Sequence, residues 1–286
     1  MSEERVEVPM AGVAMTAIGV AIIRAWESER ADRLYDDPLA WEFVAAARGG
    51  FESVEGGAQR WARVEALAEQ FFEGRTTAVR AVDDEIARAV GEGCAQIVVL
   101  GAGLDTRAYR MALPPEIVVF ELDLPELFAF KEPVLAAAGA RPTCARRVVP
   151  VDLRGDWDEP LRAAGFRADV RTQWVDEGVL GYLARTDALR LVERLTELSA
   201  PGSIFGLGRF DVDSQSDRYT ALRQLVRGEH GEPLPEAGLG PDGERWLAEH
   251  GWATRFESWE DLVAGFARSE VVYGPGVGIV RAVHRS

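Results

Sequence analysis

Val98-Val99-Leu100-Gly101-Ala102-Gly103-Leu104-Asp105-Thr106-Arg107 runs from an apolar strand through a glycine turn towards a helical segment. A short unbroken run of β-branched and aliphatic residues marks a strand buried on both faces. Glycines directly after it let the backbone turn tightly and bring N–H groups close to a ligand. The Gly-x-Gly spacing begins a dinucleotide fingerprint, but Thr106 stands where the third glycine belongs. On this stretch alone, a tight strand-to-helix turn with no ligand explains the residues equally well. The next strand tips the balance, because Val118-Val119-Phe120-Glu121-Leu122-Asp123 ends in acids and Asp123 lies 20 residues beyond Gly103. That is the usual offset of a carboxylate that grips a ribose diol, two acceptor oxygens matching two vicinal hydroxyls. The competing use of Glu121 or Asp123 is to cap the helix that Pro125 opens.

Outward from this turn, short β-rich runs alternate with helical segments from Gln96 onward. Strands are predicted over 96–100, 117–121, 148–151, 172–175 and 203–207, with helices over 125–138 and 188–198, the latter capped by Thr186. This alternation predicts an α/β fold with a Rossmann-like, doubly wound, mostly parallel sheet. Two more strand ends carry candidate groups. Asp152 and Leu153 follow the third strand, where a carboxylate could accept from an adenine amine while a backbone N–H donates to the ring. Asp176 and Glu177 follow the fourth, where acids could hold a cation. The solvated-loop reading stands beside both.

Before Gln96 the apolar spacing is helical. Helices are predicted over 11–26, from Asp36-Asp37-Pro38 to a stop at Gly49-Gly50, and over 58–72 and 76–90. Residues 1–93 thus read as an N-terminal helical region and 94–286 as the α/β domain. Residues 211–241 are polar and rich in glycine and proline, and read as an insertion that forms a lid. The chain then regains pattern, with a strand over 252–256, a helix over 259–267 and a last strand over 277–283.

Composition narrows the function classes. The chain has 286 residues, 47% hydrophobic and 28% charged, with a formal net charge of −15 that repels nucleic acid and anionic membrane surfaces. The longest apolar run, residues 13–23, is too short to span a membrane, and the acidic start Met1-Ser2-Glu3-Glu4-Arg5 is unlike a secretory leader. A cytoplasmic protein without nucleic-acid or membrane partners is expected. Two cysteines, Cys94 and Cys144, and three histidines lack metal-ligand spacing, so no metal site is expected.

Taken together, the blocks resemble the leucine carboxyl methyltransferase family, and within it the bacterial branch that includes tetracenomycin-type polyketide O-methyltransferases. The resemblance rests on 98–110, on Phe120-Glu121-Leu122-Asp123-Leu124-Pro125-Glu126, on Val151-Asp152-Leu153-Arg154 with Trp157, and on Trp174-Val175-Asp176-Glu177-Gly178-Val179-Leu180-Gly181-Tyr182-Leu183. Met15-Thr16-Ala17 and Asp36-Asp37-Pro38-Leu39-Ala40 match further landmarks. The resemblance implies a class I methyltransferase that uses S-adenosylmethionine. Gly101 and Gly103 would lie against the methionine part, Asp123 would hold the ribose, Asp152 and Leu153 the adenine, and Glu177 would sit beside the amino group. The family also places an arginine on the methionine carboxylate, usually in an Arg-Thr pair near paired acids. Here Arg75-Thr76 keeps the pair while Arg80 lies nearer Asp83-Asp84, so both are candidates.

The expected activity is O-methylation of a carboxylate or phenolic hydroxyl on a small, polyketide-like metabolite. Two alternatives share parts of the pattern: an NAD-dependent oxidoreductase, and a catalytically inactive cofactor-binding regulatory protein. A carboxylate acceptor needs no base. A phenol would lose a proton, for which His230, His250, Asp211 and Tyr182 are candidates, and nothing in the sequence selects among them.

Overall fold

The computed structural model describes residues 8–10, 12–209, 217–227, 237–266, 268, 274 and 276–285. Among the described residues, three helices precede the sheet: α1 (Ala14–Ser28), α2 (Ala40–Glu52) and α3 (Gly57–Gly91). The last is one continuous helix of 35 residues, where the sequence predicted two. Gly74 does not break it, because the buried stripe of Trp61, Val64, Leu67, Ala68, Ala78, Val79 and Ile86 keeps its period through the join. A glycine in a helix interior costs only ~1 kcal/mol, less than such a stripe returns. Gly49 and Gly50 likewise lie inside α2, which continues to bury Phe51 edge-on against Trp61, with ring centroids 5.6 Å apart. The predicted stop there is therefore corrected.

From Gln96 the chain forms β1 (Gln96–Leu100), the single-turn α4 (Arg107–Arg110), β2 (Val118–Asp123), α5 (Pro125–Ala137), β3 (Ala145–Pro150), α6 (Asp158–Ala163), β4 (Thr172–Asp176), a 3-10 turn at Leu180–Tyr182, α7 (Arg185–Glu197) and β5 (Ile204–Arg209). After these come α8 (Asp217–Arg227), α9 (Gly243–Glu249), β6 (Trp252–Ser258), α10 (Trp259–Val263) and β7 (Gly278–His284). One seven-stranded sheet has the order β3-β2-β1-β4-β5-β7-β6. β1 to β5 pair in parallel, and β7 runs antiparallel between β5 and β6. β3 begins before the predicted 148, because Ala145, Arg146 and Arg147 pair with Val118, Val119 and Phe120. On this edge strand, pairing rather than hydrophobicity sets the start. Thr186 does not cap α7, which begins one residue earlier with no side-chain cap.

Alternation along the strands splits the core in two. Val98, Leu100, Phe120, Leu122, Trp174 and Phe205 face α7, whose Leu191, Val192 and Leu195 pack on them. Ile97, Val99, Val119 and Val175 face the other way, towards Ile86 of α3. A third cluster joins α1, α2 and α3 to Leu104 of the glycine turn and to Leu127 and Phe130 of α5. Of the predicted lid, only α8 and 237–241 lie among the described residues. Leu225 of α8 packs against the N-terminal cluster, and Tyr219 meets Phe71 of α3 edge-on at 5.3 Å. Phe210, Asp211 and His230 lie outside the described residues. Among those described, no helix is long and apolar enough to cross a membrane.

Candidate cofactor and acceptor site

Parallel strands leave their C-terminal ends on one edge, so the turns after β1, β2, β3 and β4 converge there. After β1, Gly101 and Gly103 adopt φ of 62° and 52°. A Cβ on Gly101 would sit 2.9 Å from the Val179 side chain, and one on Gly103 would sit 3.2 Å from Ala17 Cβ. α1 therefore lies across the turn, which any larger residue would push away. Thr106, in place of a third glycine, anchors the N-terminal helices. Its hydroxyl donates to Asp37 at 2.6 Å and accepts from Arg24 at 3.1 Å, while Arg24 also donates to Leu104 O at 2.6 Å. Asp37 accordingly serves a long-range tie. Asp37 Oδ1 also accepts the Leu39 N–H at 3.2 Å, so the predicted acid caps the turn that leads into α2, and the helix itself starts at Ala40 with no side-chain cap at Leu39.

After β2, the Gly103 N–H donates to Asp123 Oδ2 at 2.6 Å and the Leu124 N–H to Oδ1 at 2.7 Å. Burial pushes the Asp123 carboxyl above the usual range, and those two bonds oppose the shift. Glu121 is fully buried and saturated, with Lys131 at 2.6 Å and Arg146 at 2.6 and 2.8 Å. Only Asp123 of the pair keeps acceptor capacity at the strand end, and α5 begins without a side-chain cap. Beyond β3, Asp152 is clamped by Arg154, whose hydrogen bonds hold its carboxyl below the usual range. Leu153 beside it is buried and lines a cavity of about 110 Å³ with Arg154, Trp157, Arg190, Leu191 and Arg194.

After β4, Asp176 is buried, and its Oδ1 accepts from the N–H groups of Gly178 at 3.0 Å and Leu180 at 3.3 Å. Burial raises its pKa to about 6. Glu177 points its carboxylate at Arg107, at 2.7 and 3.0 Å. The two arginine candidates separate here. Arg75 reaches across from α3 and donates to Glu177 O at 3.1 Å. Arg80 instead spends its guanidinium on Asp84 at 2.9 Å, on Leu34 O at 2.8 Å and over the Phe266 ring at 5.5 Å. The structure thus brings Gly101, Gly103, Asp123, Arg75 and Glu177 to the shared edge and leaves Arg80 out. Residue type gave no signal for Arg107, because two of its three acidic partners, Asp83 and Glu177, lie 24 and 70 positions away.

The donor set suits S-adenosylmethionine. Arg75 Nε is buried without a hydrogen-bond partner and can take a carboxylate, Glu177 can take an ammonium, and Asp123 can take a diol. A mixed sheet in this strand order, with a glycine turn after β1 and acids after β2 and β4, defines a class I methyltransferase. The profile of the leucine carboxyl methyltransferase family matches residues 17–196, and the chain belongs to that family.

A Frankia alni protein named for S-adenosyl-L-methionine-dependent methyl transfer is 41% identical over 251 residues, covering 88% of this chain and 86% of its own. One from Streptomyces coelicolor with the same naming is 36% identical over the whole of both chains. A crystal structure of a Thermobifida fusca protein described as a methyltransferase superposes with a TM-score of 0.53 at 17% identity, covering 96% of each chain, which speaks to the fold. The protein is a methyltransferase dependent on S-adenosylmethionine, and the oxidoreductase alternative falls away.

Proposed function

We propose that the protein methylates an oxygen of a small acceptor, a carboxylate in preference to a phenol. The observation that carries this reading is the setting of Tyr182, just beyond β4 between Thr16 of α1, Arg75 of α3 and Tyr219 of α8. Burial raises its phenol pKa, with the Arg75 charge and a hydrogen bond with Thr16 opposing the rise. The phenol therefore keeps its proton at neutral pH and is a donor, not a base. His250, the other described base candidate, stacks on Trp246 at 3.8 Å and is bonded to Trp246 O. A carboxylate acceptor is already nucleophilic, and the family description also names carboxyl methylation.

When bound, S-adenosylmethionine supplies the electrophilic methyl group. The chain supplies alignment and dryness. In this reading, Gly101 and Gly103 lie along the methionine part, Asp123 holds the ribose, Asp152 and Leu153 flank the adenine, Glu177 meets the ammonium and Arg75 the carboxylate. The N-terminal helical region contributes Thr16 and Phe71 to the acceptor side, and α8, a described part of the 211–241 insertion, contributes Tyr219. A polyketide-like aromatic acid would suit the Phe71, Tyr182 and Tyr219 rings.

The test is incubation with methyl-tritiated S-adenosylmethionine and panels of aromatic carboxylic acids and phenols. Methyl esters release tritiated methanol in mild alkali, whereas aryl ethers do not. Base-stable label confined to phenols would overturn carboxyl methylation, and no label on any acceptor would favour a regulatory, non-catalytic role.

A further inference from the structure

Arg107 is buried at 2% exposure and shared by three carboxylates. Its Nε donates to Asp83 at 2.7 Å, Nη1 to Asp105 at 2.5 Å, and Nη1 and Nη2 to the two oxygens of Glu177 at 2.7 and 3.0 Å. Asp83 also receives both terminal nitrogens of Arg110, at 2.6 and 2.8 Å. Two arginines thus face three acids in a buried setting, where unmatched charge is costly. The side chains of Asp83 and Asp105 are 10% and 6% exposed, while that of Glu177 is the most open at 19%. The surplus negative charge is therefore reachable only at the outer edge of Glu177, next to Arg75 and its unpartnered Nε. An α-amino acid end group, with a cation and an anion a few bonds apart, complements both.

We infer that Arg107 is a positioning residue, which holds the Glu177 carboxylate at the end of β4 and ties it through Asp83 to α3, so that the cofactor's ammonium meets an acid already in place. This rests on the proposed role of Glu177. A glutamate has several rotatable bonds, and ordering them before binding removes that entropy cost from the association. The planar guanidinium fork explains arginine here, since a lysine cannot engage both Glu177 oxygens and Asp83 along fixed directions.

The experiment is calorimetry with two probes, S-adenosylhomocysteine and 5′-methylthioadenosine, which shares the nucleoside and lacks the amino acid end. Wild type should bind the first more tightly. Arg107→Lys should weaken S-adenosylhomocysteine ten-fold or more and leave 5′-methylthioadenosine within two-fold. Glu177→Gln should do the same, and combining the two should add little further loss. Equal weakening of both probes would mean that Arg107 merely supports the fold, and unchanged S-adenosylhomocysteine binding would likewise overturn the inference.

Asp83→Asn keeps an oxygen towards Arg107 but removes the surplus charge. It provides the same two-probe reading if Arg107→Lys does not fold: a three- to ten-fold loss confined to S-adenosylhomocysteine supports the inference, and no selective loss refutes it. Should Glu177→Gln alone leave S-adenosylhomocysteine unaffected, the fault lies with the role given to Glu177 itself.

Discussion

Four acids at or near the strand ends meet four fates, and what surrounds each decides which. Glu121 is consumed by Lys131 and Arg146, Asp152 is held by an exposed arginine, Asp176 is closed over by backbone N–H groups, and Asp123 keeps room for a ligand. If Asp123 holds the ribose, Asp123→Ala should weaken S-adenosylhomocysteine by ~1.5–3 kcal/mol, roughly ten- to a hundred-fold. Because burial raises this carboxyl above the ordinary range, affinity should also decline on acidification sooner than an exposed aspartate would allow, and Asp123→Asn should flatten that decline. Calorimetry between pH 7.5 and pH 5 checks both, and wild-type affinity in a folded Asp123→Ala protein would remove the assignment.

Arg75 and Arg80 lie on one helix yet differ in surroundings. Arg75→Ala should cost ten-fold or more in S-adenosylhomocysteine affinity. Arg80→Ala should leave binding within two-fold, since an exposed i,i+4 pair such as Arg80 with Asp84 contributes only about 0.3–0.5 kcal/mol. Equal effects on binding would end the distinction.

At the scale of elements, the sequence placed the parallel strands well and misjudged where helices stop. β1 matched its predicted span, and β2, β4 and β5 shifted by a residue or two, because their apolar runs are buried on both faces. At Gly49-Gly50 glycine was the misleading signal, since both lie inside α2, and α3 runs unbroken through 73–75, where two helices were predicted. Gly49 is exposed, and a Cβ there would meet nothing within 4 Å. Gly49→Ala should therefore stabilise the protein by ~0.5–1 kcal/mol through the lower entropy of the unfolded chain, a rise in Tm of about 1–3 °C. The same substitution at Gly50 should not help, because its Cβ would collide with Val8. Scanning calorimetry of the two variants tests the contrast, and an unchanged or lower Tm for Gly49→Ala would count against it.

For the whole molecule, two buried acids tie stability to pH in opposite senses. Burial works to raise Asp105, but the cations of Arg107, Lys131, Arg110 and Arg24 outweigh it and hold the pKa to about 2. Its contribution is present above the unfolded pKa of about 3.9 and is lost as the pH falls towards 2. Asp176, raised to about 6, behaves oppositely. The folded state binds the extra proton between about 4 and 6, so stability falls as the pH rises through that window and stays lower above it. Asp176→Asn cannot ionise, and its Oδ1 can still accept from Gly178 and Leu180. It should exceed wild type at pH 8 by up to about 3 kcal/mol, the equivalent of moving a carboxyl pKa from about 4 to about 6, and match it near pH 4. A difference independent of pH would show that ionisation of Asp176 is not the cause.

By itself, the sequence determined the sheet class and the strand-end positions, because unbroken apolar runs and the glycine turn are local signals. The offset from Gly103 to Asp123 was legible for the same reason, as one crossover separates them. Tertiary structure alone decided which acid of each pair is spent, which arginine of α3 reaches Glu177, and why Thr106 replaces a glycine. Lys131 and Arg146 reach Glu121 across 10 and 25 positions, while Thr106 with Asp37, Arg107 with Glu177, and Arg75 with Glu177 join residues 69 to 102 positions apart. Their physical basis is the sheet order, which places β4 beside β1 under α3, and no local pattern records that adjacency.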